Sequence, residues 1–114
     1  MTTLYGIKNC DTVKKARKWL DEQGVDYSFH DFRADGLEAA QVQTWVAQLG
    51  WEQLVNKRST TWKQLDDATK AGLDNDSVVA VVVKNPTLIK RPLLDQDSNY
   101  SVGFKAADYE QKFA

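Results

Sequence analysis

The apolar positions of the chain change their period along its length. Thr2-Thr3-Leu4-Tyr5-Gly6 has the β-branched and aromatic residues of a short strand, and Gly6 followed by a polar stretch ends it. From Thr12 the period becomes helical. Val13, Ala16, Trp19 and Leu20 recur on one face with Lys14, Lys15, Arg17 and Lys18 between them, which predicts an amphipathic helix capped by Asp11 or Thr12 and closed by Gly24. Val25 to Phe32 alternates around Tyr27 and Phe29 as a second strand. A strand, a helix and a strand of these lengths form a βαβ unit, whose strands are parallel.

After the break at Ala34-Asp35-Gly36, Glu38 to Leu49 places Ala39, Val42, Trp45, Val46 and Leu49 on one helical face, stopped by Gly50. Trp51 to Arg58 is irregular. Thr60 or Thr61 is the expected cap of a short helix holding Trp62 and Leu65, with Gly72 as the next break. Ser77-Val78-Val79-Ala80-Val81-Val82-Val83 carries a conflict: five valines favour a strand on propensity, whereas Asp74 and Asp76 before it and Asn85-Pro86 after it are helix start and stop signals. Leu88-Ile89 and Leu93-Leu94 flank Lys90-Arg91-Pro92, a turn cluster follows at Gln96 to Asn99, and Tyr100 to Phe104 alternates again. That pattern predicts a β-hairpin, and Ala106, Tyr109 and Phe113 at helical spacing predict a last helix over 105–113. The resulting order is an N-terminal βαβ half and a C-terminal ββα half around a helical insertion at about 38–85. This is the α/β arrangement of a thioredoxin-like fold, read as one domain over 1–114.

Composition adds mainly exclusions. Fifteen Lys and Arg against sixteen Asp and Glu leave a net charge of −1, which gives no electrostatic footprint for nucleic acid or an anionic membrane. No apolar run approaches the roughly 20 residues of a membrane span, and the N-terminus lacks a secretory pattern, so the expected location is the cytoplasm. The single cysteine fits a reducing compartment, and any disulfide it forms must join another molecule.

That cysteine, Cys10, falls between the first strand and the first helix. At a helix N-terminus, unpaired backbone N–H groups and the dipole stabilise an anion such as a thiolate. Lys8 and Lys14 lie nearby in sequence and push the same way; thiols in such surroundings have pKa values lowered to between about 3.5 and 7.5. A buried inert cysteine is the alternative, but the loop position and the polar neighbours Asn9 and Asp11 favour a reactive thiol.

Three ordered segments together carry a family resemblance: Leu4 to Ala16 around Cys10, Asn56-Lys57-Arg58-Ser59 with Trp62 beyond it, and Asn85 to Leu93. They resemble the ArsC/Spx family of thioredoxin-like proteins, in its YffB-type, arsenate-reductase-like branch, over essentially the whole chain. The resemblance implies a redox-active Cys10, substrate-binding arginines at Arg58 and Arg91, and a cis-proline at Pro92. It also implies that the valine run is a helix over about 75–84. A guanidinium is a planar fork of donors suited to an oxyanion or carboxylate beside the sulfur; at Arg58 the adjacent Lys57 could take the role after a shift of one residue.

Arsenate reductases of this type carry His-Asn-Pro where this chain has Gly6-Ile7-Lys8, and a third arginine where it has Gly103-Phe104-Lys105, both of which argue against arsenate as substrate. Spx regulators often hold a Cys-x-x-Cys pair; Val13 stands in its fourth position, so no internal dithiol forms. The expected activity is that of a thiol-dependent reductase with Cys10 as nucleophile, no bound cofactor or metal, and glutathione or another small thiol as co-substrate acting on a small-molecule or protein disulfide. The alternative is a non-catalytic, Spx-like redox sensor that binds RNA polymerase. His30 reads as a structural histidine, and Trp19, Trp45 and Trp62 as core-facing residues without chemistry.

Overall fold

The computed structural model describes residues 2–114. In chain order the elements are β1 (Thr2–Gly6), α1 (Asp11–Glu22), β2 (Ser28–Asp31), α2 (Ala39–Leu49), α3 (Trp51–Leu54), α4 (Thr60–Gln64), α5 (Asp67–Ala71), α6 (Ser77–Lys84), a 3-10 turn at Pro86–Leu88, β3 (Leu93–Gln96), β4 (Asn99–Val102) and α7 (Ala106–Lys112). They fall into two compact units, one made of residues up to Asp35 with Arg91–Ala114, the other of Gly36–Lys90. Among the described residues no helix is long and apolar enough to cross a membrane.

The first unit is a four-stranded sheet in the order β2-β1-β3-β4. β1 and β2 are parallel, as a βαβ unit requires, with Leu4 opposite Phe29 and Gly6 opposite Asp31. β3 runs antiparallel to β1 with Tyr5 opposite Leu93, and β4 returns antiparallel to β3. The hairpin turn places Asp97 and Ser98 at positive φ, 51° and 71°, the left-handed backbone that a two-residue hairpin loop demands. One core cluster joins Leu4 and Leu94 from the sheet, Ala16 and Leu20 from α1, and Tyr109 from α7, with Trp19, Phe104 and Phe113 packed against it. The alternation predicted over 25–32 is therefore only partly strand. Val25 and Tyr27 precede β2 and still pack on the cluster, which explains their apolar spacing.

In the second unit α2 packs against α6. Val42, Trp45 and Val46 are buried on α2, and Val78, Val79 and Val82 on α6. The valine run is thus a helix, as the resemblance implied, against its strand propensity. Burying one face outweighs the few tenths of a kcal/mol that each β-branched residue costs in a helix. The start signal read at Asp74 is also physical: its carboxylate accepts the N–H groups of Asp76 and Ser77 at 3.0 and 2.7 Å, and the Ser77 hydroxyl accepts the Asp74 N–H at 2.9 Å. This reciprocal pairing is a capping box.

Elsewhere the local expectations need correction. Leu88-Ile89 is not an arm of the hairpin; Leu88 ends the 3-10 turn and Ile89 forms an isolated bridge with Val55. The cap of α4 is Ser59, whose hydroxyl accepts the Trp62 N–H at 3.1 Å, not Thr60 or Thr61. α5, capped by Asp66, leaves no trace in the apolar pattern because its five residues carry no apolar stripe.

Candidate functional site

β1 ends at Gly6, and the chain reaches α1 through Ile7, Lys8, Asn9 and Cys10. Gly6 is needed here for space: a Cβ built on it would lie 2.7 Å from Val13 Cγ2. Without that Cβ, the first turn of α1 packs directly over the strand end, with Val13 fully buried. The Cys10 N–H donates to the Ile7 carbonyl at 3.2 Å, and the Cys10 carbonyl accepts the Lys14 N–H at 3.0 Å as the first helical bond. Cys10 itself is therefore the N-cap of α1, not Asp11 or Thr12, and no side chain caps the first-turn N–H groups. At the position where an Asp or Ser would ordinarily accept those N–H groups, this helix carries a half-buried free thiol.

Three chain segments meet at this end of the sheet because of the strand directions. β1 leaves toward Cys10, the parallel β2 ends at Asp31 opposite Gly6, and the antiparallel β3 enters from Arg91-Pro92 just before Leu93. The Arg91–Pro92 peptide is cis, as the resemblance implied, and the buried Pro92 presents its carbonyl to the Gly103 N–H at 2.9 Å. Arg91 is half-buried, while Lys8 and Lys14 are exposed. Of the residues singled out in the sequence, Cys10, Lys8, Lys14, Arg91 and Pro92 thus belong to the sheet unit.

Arg58 belongs to the helical unit, where it is exposed and follows Asn56, whose side-chain carbonyl accepts the Arg58 N–H at 3.0 Å. Its neighbour Lys57 is committed locally: Nζ lies 5.1 Å from the Trp51 ring centre and 5.8 Å from that of Trp62, and 3.5 Å from Glu52 Oε2. The two indoles stack with centroids 6.5 Å apart, so Trp62 is a half-buried partner of Trp51 and Lys57, not the core residue its spacing suggested. Trp45 is a core residue, and Trp19 packs edge-on against Tyr109. His30 lies beside Tyr5 with ring centres 5.0 Å apart, consistent with a structural part.

Asp31 is the residue that sequence reasoning missed. Among the described residues it is the only charged side chain that is buried, at 6% exposure. Its Oδ1 accepts the N–H groups of Arg33 and Ala34 at 2.8 and 3.2 Å, and its Oδ2 accepts the Lys8 N–H at 3.2 Å. Burial by itself raises the Asp31 pKa, but the N–H groups of Arg33, Ala34 and Lys8 and the charge of Lys8 outweigh it and hold the carboxyl below its ordinary value. The signal available in the sequence is an acid on the apolar phase of the alternation, where Asp31 follows Val25, Tyr27 and Phe29. Among the described residues, no group of three or more His, Cys, Asp or Glu is placed to hold a metal ion.

A mixed four-stranded sheet built from βαβ and ββα halves, with a thiol at the cap of the first helix and a cis-proline at the start of the third strand, defines a thioredoxin-like protein. The ArsC family model matches residues 5–112, and the chain belongs to that family. An uncharacterized protein of Haemophilus influenzae is 49% identical over 114 residues, with both chains covered completely. The structure of the YffB protein (PA3664) superposes with a TM-score of 0.95 at 43% identity, again over the whole of both chains. An arsenate reductase (ArsC) related protein from Brucella melitensis matches with a TM-score of 0.80 at 43% identity, over 98% of this chain and 93% of the other. The global transcriptional regulator Spx of Streptococcus pyogenes is 26% identical over 106 residues, 91% of this chain and 78% of the regulator.

Proposed function

We propose that the chain is a glutathione-dependent thiol reductase that works through Cys10 alone. The observation that carries the reading is the place of this thiol: the only cysteine in the sequence is the cap of α1, at the sheet end where Arg91 and cis-Pro92 also lie. The Cys10 thiolate attacks one sulfur of a substrate disulfide; the S–S bond breaks, and the departing thiolate takes up a proton. A glutathione thiolate then attacks the sulfur of Cys10 in the mixed disulfide and releases the second substrate thiol. A second glutathione frees Cys10 as oxidised glutathione forms. The substrate thereby gains two electrons and two protons, both supplied by glutathione. With Val13 in place of a second cysteine, the resolving thiol comes from outside.

Arg91 and Arg58 are assigned to substrate carboxylates or oxyanions, for which a guanidinium fork is suited, and Lys8 and Lys14 to the electrostatics of the loop. Support for the reaction class comes from family membership and the arsenate-reductase-related Brucella protein. The same chemistry supports a cytoplasmic location, where thiols are held reduced.

Intact mass after incubation with oxidised glutathione tests the reading. Wild type is expected to gain one glutathione, and Cys10→Ser none. Turnover of candidate disulfides and oxyanions with glutathione present is expected to vanish in Cys10→Ser and to fall in Arg91→Ala. An unmodified wild type with no turnover on any of these substrates defeats the proposal. The likeness to Spx supports a second reading, a non-catalytic redox sensor that binds RNA polymerase. Capture of purified polymerase by a chain that shows no turnover would favour it.

A further inference from the structure

We propose that Asp31 is a positioning residue for Cys10: its carboxylate holds the loop that carries the cysteine by accepting the Lys8 N–H, and the reactivity of the thiol depends on that hold. The inference takes its functional meaning from the reductase reading, although the geometry governs Cys10 toward any electrophile.

Among the described residues, the segment from Ile7 to Cys10 is held by one buried side chain and a small set of backbone hydrogen bonds. The Ile7 side chain is buried, the Cys10 N–H closes a turn on the Ile7 carbonyl, and the side chains of Lys8 and Asn9 are exposed. The bond from the Lys8 N–H to Asp31 Oδ2 is the side-chain tether reaching this loop from another element. The parallel register sets Asp31 opposite Gly6, beside the point where the chain leaves β1, so the carboxylate is placed to reach it.

The chemistry of the group explains why a charge is buried there. Burying a carboxylate costs free energy that an apolar residue would not. For the turn after β2 alone, one acceptor oxygen suffices, because Oδ1 takes both the Arg33 and Ala34 N–H groups. An asparagine could supply that single oxygen. Only an ionised carboxylate offers two acceptor oxygens, one for the turn and one for the cysteine loop. Among the described residues, the second oxygen accepts the Lys8 N–H alone.

Asp31→Asn separates the two duties, since its amide can keep one acceptor on the turn while presenting an NH2 group to the Lys8 N–H. The expected result is faster hydrogen exchange and a shifted amide resonance at Lys8, together with a change of at least about threefold in the rate at which iodoacetamide alkylates Cys10, because the loop sets how the half-buried sulfur is presented to the reagent. Asp35→Ala is the control: it removes the acceptor of the Asp31 N–H, a bond of 3.0 Å within the turn, and is expected to leave the alkylation rate unchanged. A folded Asp31→Asn protein that alkylates at the wild-type rate overturns the proposal, as does an equal change of rate in Asp35→Ala. Should Asp31→Asn fail to fold, the wild type decides. A Lys8 amide that is protected and follows the carboxylate's titration supports the tether; an unprotected, insensitive one overturns it. A wild type that takes up no glutathione, yet whose alkylation rate depends on Asp31, would sink the reductase reading and leave the positioning role standing.

Discussion

Gly6 lies so close to Val13 that a methyl group added to it would press on Val13 Cγ2, 2.7 Å away. Neither partner can easily give way, since Val13 is fully buried and stiff at its branch point. Gly6→Ala is therefore expected to destabilise the fold by roughly 1–3 kcal/mol, the usual cost of overpacking. Urea denaturation measures it. Because the clash is with one residue, the Gly6→Ala, Val13→Ala double variant should be more stable than the sum of the two single losses.

Tyr109 presents the opposite case, an excess polar atom in the core. Its hydroxyl is buried and has no hydrogen-bond partner among the described residues, and burial pushes its pKa above the ordinary value. Tyr109→Phe removes that desolvated group and is expected to raise stability by about 1 kcal/mol at neutral pH. The sign of the pH dependence follows from the raised value. The unfolded phenol ionises first, so wild type loses stability as pH rises above the ordinary tyrosine range, and the advantage of Tyr109→Phe should widen there. Thermal melts of both proteins at neutral and alkaline pH decide it.

Lys57 and Arg58 are adjacent cations with separable duties. Lys57 spans two indoles and pairs with Glu52, so Lys57→Met should cost about 0.5–1 kcal/mol of stability through its cation–π and ion-pair contacts. The Arg58 side chain makes no such contact among the described residues. Arg58→Ala should change stability by less than about 0.5 kcal/mol, and under the proposed function it should lower turnover, whereas Lys57→Met should not. The reverse pattern would return the substrate role to Lys57.

Two exposed carboxylates cap short helices, and both are held below the ordinary carboxylate range: Asp74 by the N–H and hydroxyl of Ser77, Asp66 by the hydroxyl and N–H of Thr69. Their contribution is present above the unfolded-state value and lost as pH falls through the lower folded one. Asp74→Ala should lower the melting temperature at neutral pH, and the gap to wild type should close in acid. Asp74→Asn, which keeps an acceptor oxygen, should lose less.

Much of the site was legible in particular residues. Cys10 was marked by its place between a strand pattern and a helix pattern, and the cis bond before Pro92 was implied by the motif around it. The cap itself is Cys10, one or two residues before the expected position, because Asp11 and Thr12 look like caps by type, whereas the strand end at Gly6 and the turn from Ile7 to Cys10 set where α1 begins. Trp62 departs from its expected core position for a related reason: its helical spacing gives no hint of Trp51 and Lys57, which reach it from outside its own helix.

The local code determined where the strands and the longer helices lie, since amphipathic period, glycine breaks and capping acids act within a few residues of one another. It also determined that no internal dithiol can form. Tertiary structure decided what depends on residues far apart in the chain. The valine run became a helix because α2 offered it a face to bury against, a gain that propensity does not contain. Asp31 became the tether of the cysteine loop because parallel pairing set it opposite Gly6, 25 positions earlier in the chain. A carboxylate shows in sequence only as a charge; which N–H groups it accepts is settled by the sheet.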